Sequence, residues 1–206
     1  MRRVLPILFN TEMVRANLEG RKSCTRRIVK GFIPNDAKWG YTAFTPKGCI
    51  SCRGTFADGY GEKFFKLPCE PRDILYVRET WCALPVNEAG HIRGHSVYYY
   101  KADGDLRPEG WRGKWKPSIH MPKEAARIWL KVTNVRVERL QEMWASDVSK
   151  EGIFFTKPTT ADGMLQAFAD LWNSTIKKSD IDRYGWDANP WVWVIEFERC
   201  EKPEVV

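Results

Sequence analysis

Hydrophobic and polar positions divide this chain into many strands and a few helices. After Thr11, the apolar residues Met13, Val14 and Leu18 recur at helical spacing, with Thr11 as the expected N-cap. Gly20 is the expected stop, because glycine accepts the left-handed conformation of a C-terminal cap. The chain should then leave extended through Arg27, Ile28 and Val29. Cys49 to Thr55 and Lys63 to Leu67 read as the arms of a hairpin around residues 57–61. Asp73 to Trp81 reads as a buried strand running out into polar residues, and Ser96 to Lys101 as another strand. Residues 103–117 read as a loop. Arg127 to Arg139 alternates in two stretches that change phase at Thr133 and Asn134, which predicts a bulge in a long strand. A short helix is expected over Ser146 to Lys150, closing at Gly152. A longer one should run from Thr160 to Ile176, with Met164, Phe168, Leu171 and Trp172 as its apolar stripe. The last strand is Trp191 to Phe197. Strands dominate, with helices near both ends: an α+β chain built as a small β-barrel carrying peripheral helices.

Composition narrows the reading. The 206 residues fit one domain with insertions better than two full domains, and 43% hydrophobic residues suffice for a core. Lys+Arg 33 against Asp+Glu 26 leaves +7, which suits either a polyanionic partner such as nucleic acid or an ordinary solvated basic surface. Ten tryptophans are many for this length. Trp111, Trp115, Trp186, Trp191 and Trp193 lie among Lys, Arg, Asn or Pro, where a ring can stack on a base or pack a core. The apolar run Val4 to Phe9 is too short for a secretory signal, and no stretch has the length of a membrane span. A cytoplasmic location with reduced thiols is therefore expected for Cys24, Cys49, Cys52, Cys69, Cys82 and Cys200. Cys49, Cys52 and Cys69 raise the question of a metal. The chain lacks a second ligand pair at zinc spacing, so no metal and no cofactor are expected. His91 and His95 lie next to Gly90 and Gly94 and read as loop histidines.

The chemistry concentrates in residues 19–27. Lys22 precedes Thr25 by three positions, with Arg21, Arg26 and Arg27 beside them. A helix-to-strand corner of this kind can gather an ammonium, a hydroxyl and guanidinium groups around one small anionic or polar ligand. Alone, such a corner is more often a solvated turn. Arg78 and Glu79 at a strand end read as an internal ion pair, with Arg78 also open to ligand contact.

Four segments in order resemble the ASCH domain family, a PUA-like β-barrel group associated with RNA and nucleotide chemistry. They are Gly20 to Arg27, Asp73 to Trp81, Glu151 to Ile153 after the long strand, and Trp191 to Phe197. Trp115 to Pro122 and Asn189 to Trp193 resemble the longer phage and prophage branch. The resemblance covers nearly the whole of residues 1–206 as one domain, with insertions at about 32–70 and 83–114. It implies a metal-independent amidohydrolase that deacylates N4-acylated cytidine, with Lys22, Thr25 and Glu151 as the catalytic set. In that role Thr25 supplies a hydroxyl or orients water, Lys22 accepts its proton if burial lowers its pKa, and Glu151 moves protons to the leaving amine. Glu151 could instead be a plain ion-pair partner of Lys22. Arg21, Arg26, Arg27, Arg78, Trp81, Lys116, Ser118, His120 and Trp191 are the expected substrate-binding residues, with Lys116, Ser118 and His120 in a polar strand at the pocket mouth. The alternatives are a non-catalytic module for RNA or modified DNA, and a ribonuclease. The expected partner is a nucleoside or nucleic acid, RNA ahead of DNA, with no membrane and no protein partner inferred.

Overall fold

The computed structural model describes residues 3–85, 96–107 and 113–204. In chain order its elements begin β1 (Val4–Leu8), α1 (Thr11–Leu18), β2 (Cys24–Ile28), β3 (Lys38–Gly40), β4 (Cys49–Phe56) and β5 (Gly59–Lys66). They continue β6 (Ile74–Arg78), β7 (Trp81–Pro85), β8 (Ser96–Tyr100), β9 (Trp129–Arg139) and α2 (Ala145–Lys150). The chain ends with α3 (Ala161–Thr175), α4 (Ile181–Tyr184) and β10 (Trp191–Cys200). This is a mixed α+β protein. Among the described residues no helix is long and apolar enough to cross a membrane.

Five strands form the main sheet in the order β1-β6-β9-β10-β2. β1 runs parallel to β6, and the remaining pairs are antiparallel. The ladder does not close: β1 and β2 are its two edges. One side-chain contact joins them: Arg27 on β2 donates Nη2 to the Leu8 carbonyl of β1 at 2.9 Å. The expected bulge is present. Asn134 pairs with Glu196 and Val132 with Phe197, so Thr133 is left unpaired on β9.

One core cluster joins Phe9 and Val14 to the β6, β9 and β10 residues Leu75, Val77, Leu130, Trp193 and Ile195. On the other side of β10, Val192 and Val194 pack with Val148 of α2 and with Phe168 and Trp172 of α3. Met164 packs against that cluster as the apolar stripe implied. β10 is therefore buried on both faces, which explains its nearly continuous run of apolar residues.

Several local readings needed correction. The N-cap of α1 is Asn10, whose Oδ1 accepts from Met13 N at 2.8 Å, while Thr11 is already helical. The expected strand from Asp73 to Trp81 splits in two. Glu79 is buried and turns to Arg127, which donates to it at 2.9 and 3.1 Å, so the ladder stops at Arg78 and resumes at Trp81. Arg78 is not the partner of Glu79; its Nε donates to the Met121 carbonyl at 2.6 Å. The first insertion forms a sheet of its own, β3-β4-β5, and its hairpin turn is only Ala57 and Asp58. β7 and β8 pair in the second insertion. His91, His95 and Trp111 lie outside the described residues.

Asp73 anchors edge strand β1. Its carboxylate accepts from Arg3 N, Nε and Nη2 and from Glu70 N. Burial alone would raise the Asp73 pKa, but the hydrogen bonds from Arg3 and the two backbone N–H groups outweigh it and the net shift is downward. A depressed carboxylate pKa adds stability that is complete above the unfolded value of about 4 and fades as pH falls through the folded value. Thermal melts across that range should show this acid-side loss in the parent protein and a flatter profile in Asp73→Asn. Parallel profiles would contradict the assignment.

Candidate functional site

The corner that positions the site is built by helix termination. Gly20 takes φ +74, Gly20 N donates to Asn17 O at 3.0 Å, and Arg21 N donates to Ala16 O at 2.8 Å. This paired 5→2 and 6→1 closure turns the chain sharply out of α1 into β2. The second half arrives at the end of α2. Glu151 caps that helix, Ser23 N donates to Lys150 O at 2.9 Å, and Lys22 and Glu151 form an isolated antiparallel bridge. Gly152 permits the approach. It holds φ +94, and an added Cβ would lie 2.6 Å from Ala16 Cβ and 3.1 Å from Lys22 Cβ.

Lys22 and Glu151 therefore meet, both buried. Lys22 Nζ donates to Glu151 Oε2 at 2.9 Å, to Glu151 O at 2.8 Å and to Cys24 O at 2.7 Å. Three acceptors account for all three protons of an ammonium. Burial pulls the Lys22 pKa below the ordinary lysine value, and the Glu151 carboxylate opposes that pull. The second carboxylate oxygen, Oε1, accepts from Arg26 Nη1 at 3.1 Å. Arg26 also donates to Glu138 through Nε at 3.1 Å and Nη2 at 2.7 Å, and stands 3.5 Å from Asp147. Burial would lower the Arg26 pKa, but Glu151 and Glu138 outweigh it and the net shift is upward. Burial, and then the nearby Glu151 carboxylate at 4.0 Å, push the Cys24 thiol pKa up to about 12.

Thr25 is fully buried, and its Oγ1 has no hydrogen-bond partner among the described residues. It lines a small chamber of about 80 Å³ together with Met13, Arg26, Arg27, Glu151 and Phe168. Two larger cavities adjoin this chamber through shared walls. One, of about 480 Å³, lies along the β1/β2 seam and shares Met13, Arg27 and Thr175. The other, of about 380 Å³, runs between α1, residues 151–154 and α3, and shares Met13, Glu151 and Leu171. Arg27 donates to the carbonyls of Leu8 at 2.9 Å and Arg26 at 3.4 Å and lies 6.0 Å from the Phe9 ring centre, with no carboxylate bonded to it among the described residues. Burial lowers its pKa, with Glu151 opposing. Arg21 lines the 380 Å³ cavity, donating to Gly152 O at 2.5 Å and to Glu19 at 2.6 Å.

The expected residues thus divide into three groups. Thr25, Glu151, Arg21, Arg26 and Arg27 line three neighbouring cavities that share wall residues. Lys22 stands behind Glu151 and makes no hydrogen bond to Thr25, so the direct lysine-to-threonine contact expected from the motif is not formed. Arg78, Trp81, Lys116, Ser118, His120 and Trp191 line none of these cavities. Trp81 belongs to a separate core cluster with Met121 and Trp129, and exchanges backbone hydrogen bonds with Lys116. Ser118 to His120 is a short 3-10 turn and not a strand, because Pro117 and Pro122 frame a segment too short to pair. Trp191 packs against Trp39 at 5.8 Å, under the Arg139 guanidinium at 4.3 Å. Cys49 and Cys52, three apart on β4, point to opposite faces. Among the described residues no three His, Cys, Asp or Glu side chains gather as around a metal ion.

Sequence reading missed Glu138 and Asp147, the carboxylates that balance Arg26, and also Met13, shared by all three cavities. Glu138 reaches Arg26 across the β9-β10-β2 ladder, a proximity that only strand pairing creates. No protein-family model, no curated protein and no solved structure matches this chain.

Proposed function

We propose that the chain is an ASCH-type protein whose five-stranded sheet, its edges β1 and β2 bridged by Arg27, represents the PUA-like barrel, and that it hydrolyses the amide of an N4-acylated cytidine without a metal ion. The supporting observation is the meeting of Thr25 and Glu151 on one chamber, with Lys22 directly behind. A buried hydroxyl without a partner is costly unless something else uses it. Here the user is the acyl carbonyl, or the water that attacks it. As the oxygen adds to the acyl carbon, Glu151 takes the proton on one of its remaining lone pairs. When the C–N bond breaks, that proton passes to N4, which leaves as the amine of cytidine. If Thr25 is the nucleophile, a water then repeats the sequence on the acyl ester and releases the acid. Lys22 and Arg26 are positioning residues that fix the two carboxylate oxygens. Arg27, with no carboxylate bonded to it among the described residues, is free to face the developing oxyanion.

The assay is release of cytidine and acid from a panel of N4-acylated cytidines by the pure protein, with a chelator present and an RNA-cleavage control alongside. Release that survives the chelator, without RNA cleavage, is the expected result. Intact substrate across the panel would end this reading. One observation favours a binding module instead: the three Lys22 donors are already satisfied within the protein. That reading predicts nucleoside affinity without turnover.

A further inference from the structure

The outer face of the insertion sheet carries exposed aromatic and basic side chains around a buried Ser51. Successive side chains on a strand alternate between faces. The register sets Arg53 opposite Glu62, Ser51 opposite Phe64, Thr55 opposite Tyr60 and Cys49 opposite Lys66, while β3 adds Lys38 beside Arg53. The alternate residues, Trp39, Ile50, Cys52, Phe56 and Phe65, make the buried face and pack inward. On the outer face Tyr60 is 71% and Phe64 41% exposed. Lys38, Arg53 and Lys66 are exposed around them and form no salt bridge among the described residues. Two acids accompany them: Glu62 lies opposite Arg53 and accepts from the Ser51 hydroxyl, and Asp36 accepts from the Thr55 hydroxyl at 2.9 Å.

Two exposed rings held on a sheet, with three cations against two acids beside them, match one class of partner. A single strand offers the π-face of each base to a ring and each phosphate to a cation. A duplex hides its base faces, so rings gain nothing from it. Tyr60 and Phe64 are four residues apart on one strand, roughly 13 Å, so they reach two separate bases. We infer that the outer face of β3-β4-β5 is a docking platform for single-stranded nucleic acid, with Tyr60 and Phe64 stacking on bases and Lys38, Arg53 and Lys66 contacting phosphates. The platform shares no residue with the cavities around Glu151, and it stands whether or not the protein deacylates cytidine.

Fluorescence anisotropy with short labelled RNA and DNA single strands, at low and moderate salt, tests it. The full chain should bind, more weakly as salt rises, and an unlabelled duplex should compete poorly. Tyr60→Ala with Phe64→Ala should weaken binding about tenfold or more while leaving the melting temperature near that of the parent. Arg53→Glu with Lys66→Glu is the second variant, and should reduce both affinity and its salt dependence. RNA and DNA arms of equal strength would identify base and phosphate as the recognised groups, and a stronger RNA arm would add the 2′-hydroxyl. No binding, duplex binding as tight as single-strand binding, or affinity unchanged in the aromatic variant would overturn the proposal. So would self-association that the aromatic variant abolishes in the absence of nucleic acid, since the face would then be a contact between copies.

Discussion

Glu151→Ala should cost the fold roughly 3–5 kcal/mol, the range for removing one partner of a buried charge pair. The Glu151 carboxylate bridges Lys22 and Arg26, whose side chains are 0% and 1% exposed. Neither cation can turn to water when the carboxylate is lost. Lys22 would keep two carbonyl acceptors, and Arg26 would keep Glu138 and the more distant Asp147. Carbonyls satisfy donors without cancelling charge, so the Lys22 ammonium is the uncompensated group. Glu138→Ala provides the contrast. Its carboxylate is 15% exposed, and Arg26 would still hold Glu151, so the loss should be clearly smaller. Urea unfolding of the three proteins, fitted for midpoint and slope, measures this directly. A Glu151→Ala loss below about 1 kcal/mol would show that the buried network is not a structural determinant.

Thr25→Val should separate stability from chemistry. Valine has nearly the shape of threonine, and the hydroxyl it removes is buried without a hydrogen-bond partner among the described residues. Stability should hold, or rise by about 1 kcal/mol, as an unsatisfied polar atom disappears. Turnover should fall at least roughly a hundredfold, the scale for losing a group that acts on the reacting atoms. A structural threonine would give the opposite pattern, with stability lost and chemistry little changed.

Periodicity carried the helices and strands well, because packing here follows local pattern. The phase change at Thr133 became a bulge, and the stripe of α3 became a core face. Gly20 and Gly152 were readable as helix stops because both positions need positive φ. The sheet order was not readable: β1 pairs with β6 and β10 with β2, contacts between segments far apart in sequence. Lys22, Thr25 and Glu151 were legible as residues, yet their arrangement was not. Lys22 lies ahead of β2, where its ammonium is held by Glu151 and the Cys24 carbonyl, and the Thr25 hydroxyl has no hydrogen-bond partner among the described residues. For Trp81 and Trp191, readable either as stacking or as core rings, the structure shows packing: Trp81 is buried in one cluster and Trp191 packs against another. The Lys116 to His120 segment misled because polar residues between prolines resemble an edge strand, whereas the chain there makes one bridge and a turn.

The most direct measurement is cytidine release from N4-acetylcytidine by the parent protein and by Thr25→Val, at equal concentrations and with equal melting temperatures confirmed. The account predicts steady release by the parent and loss of at least roughly a hundredfold in the variant. Equal release by both proteins, or none by the parent, would contradict it.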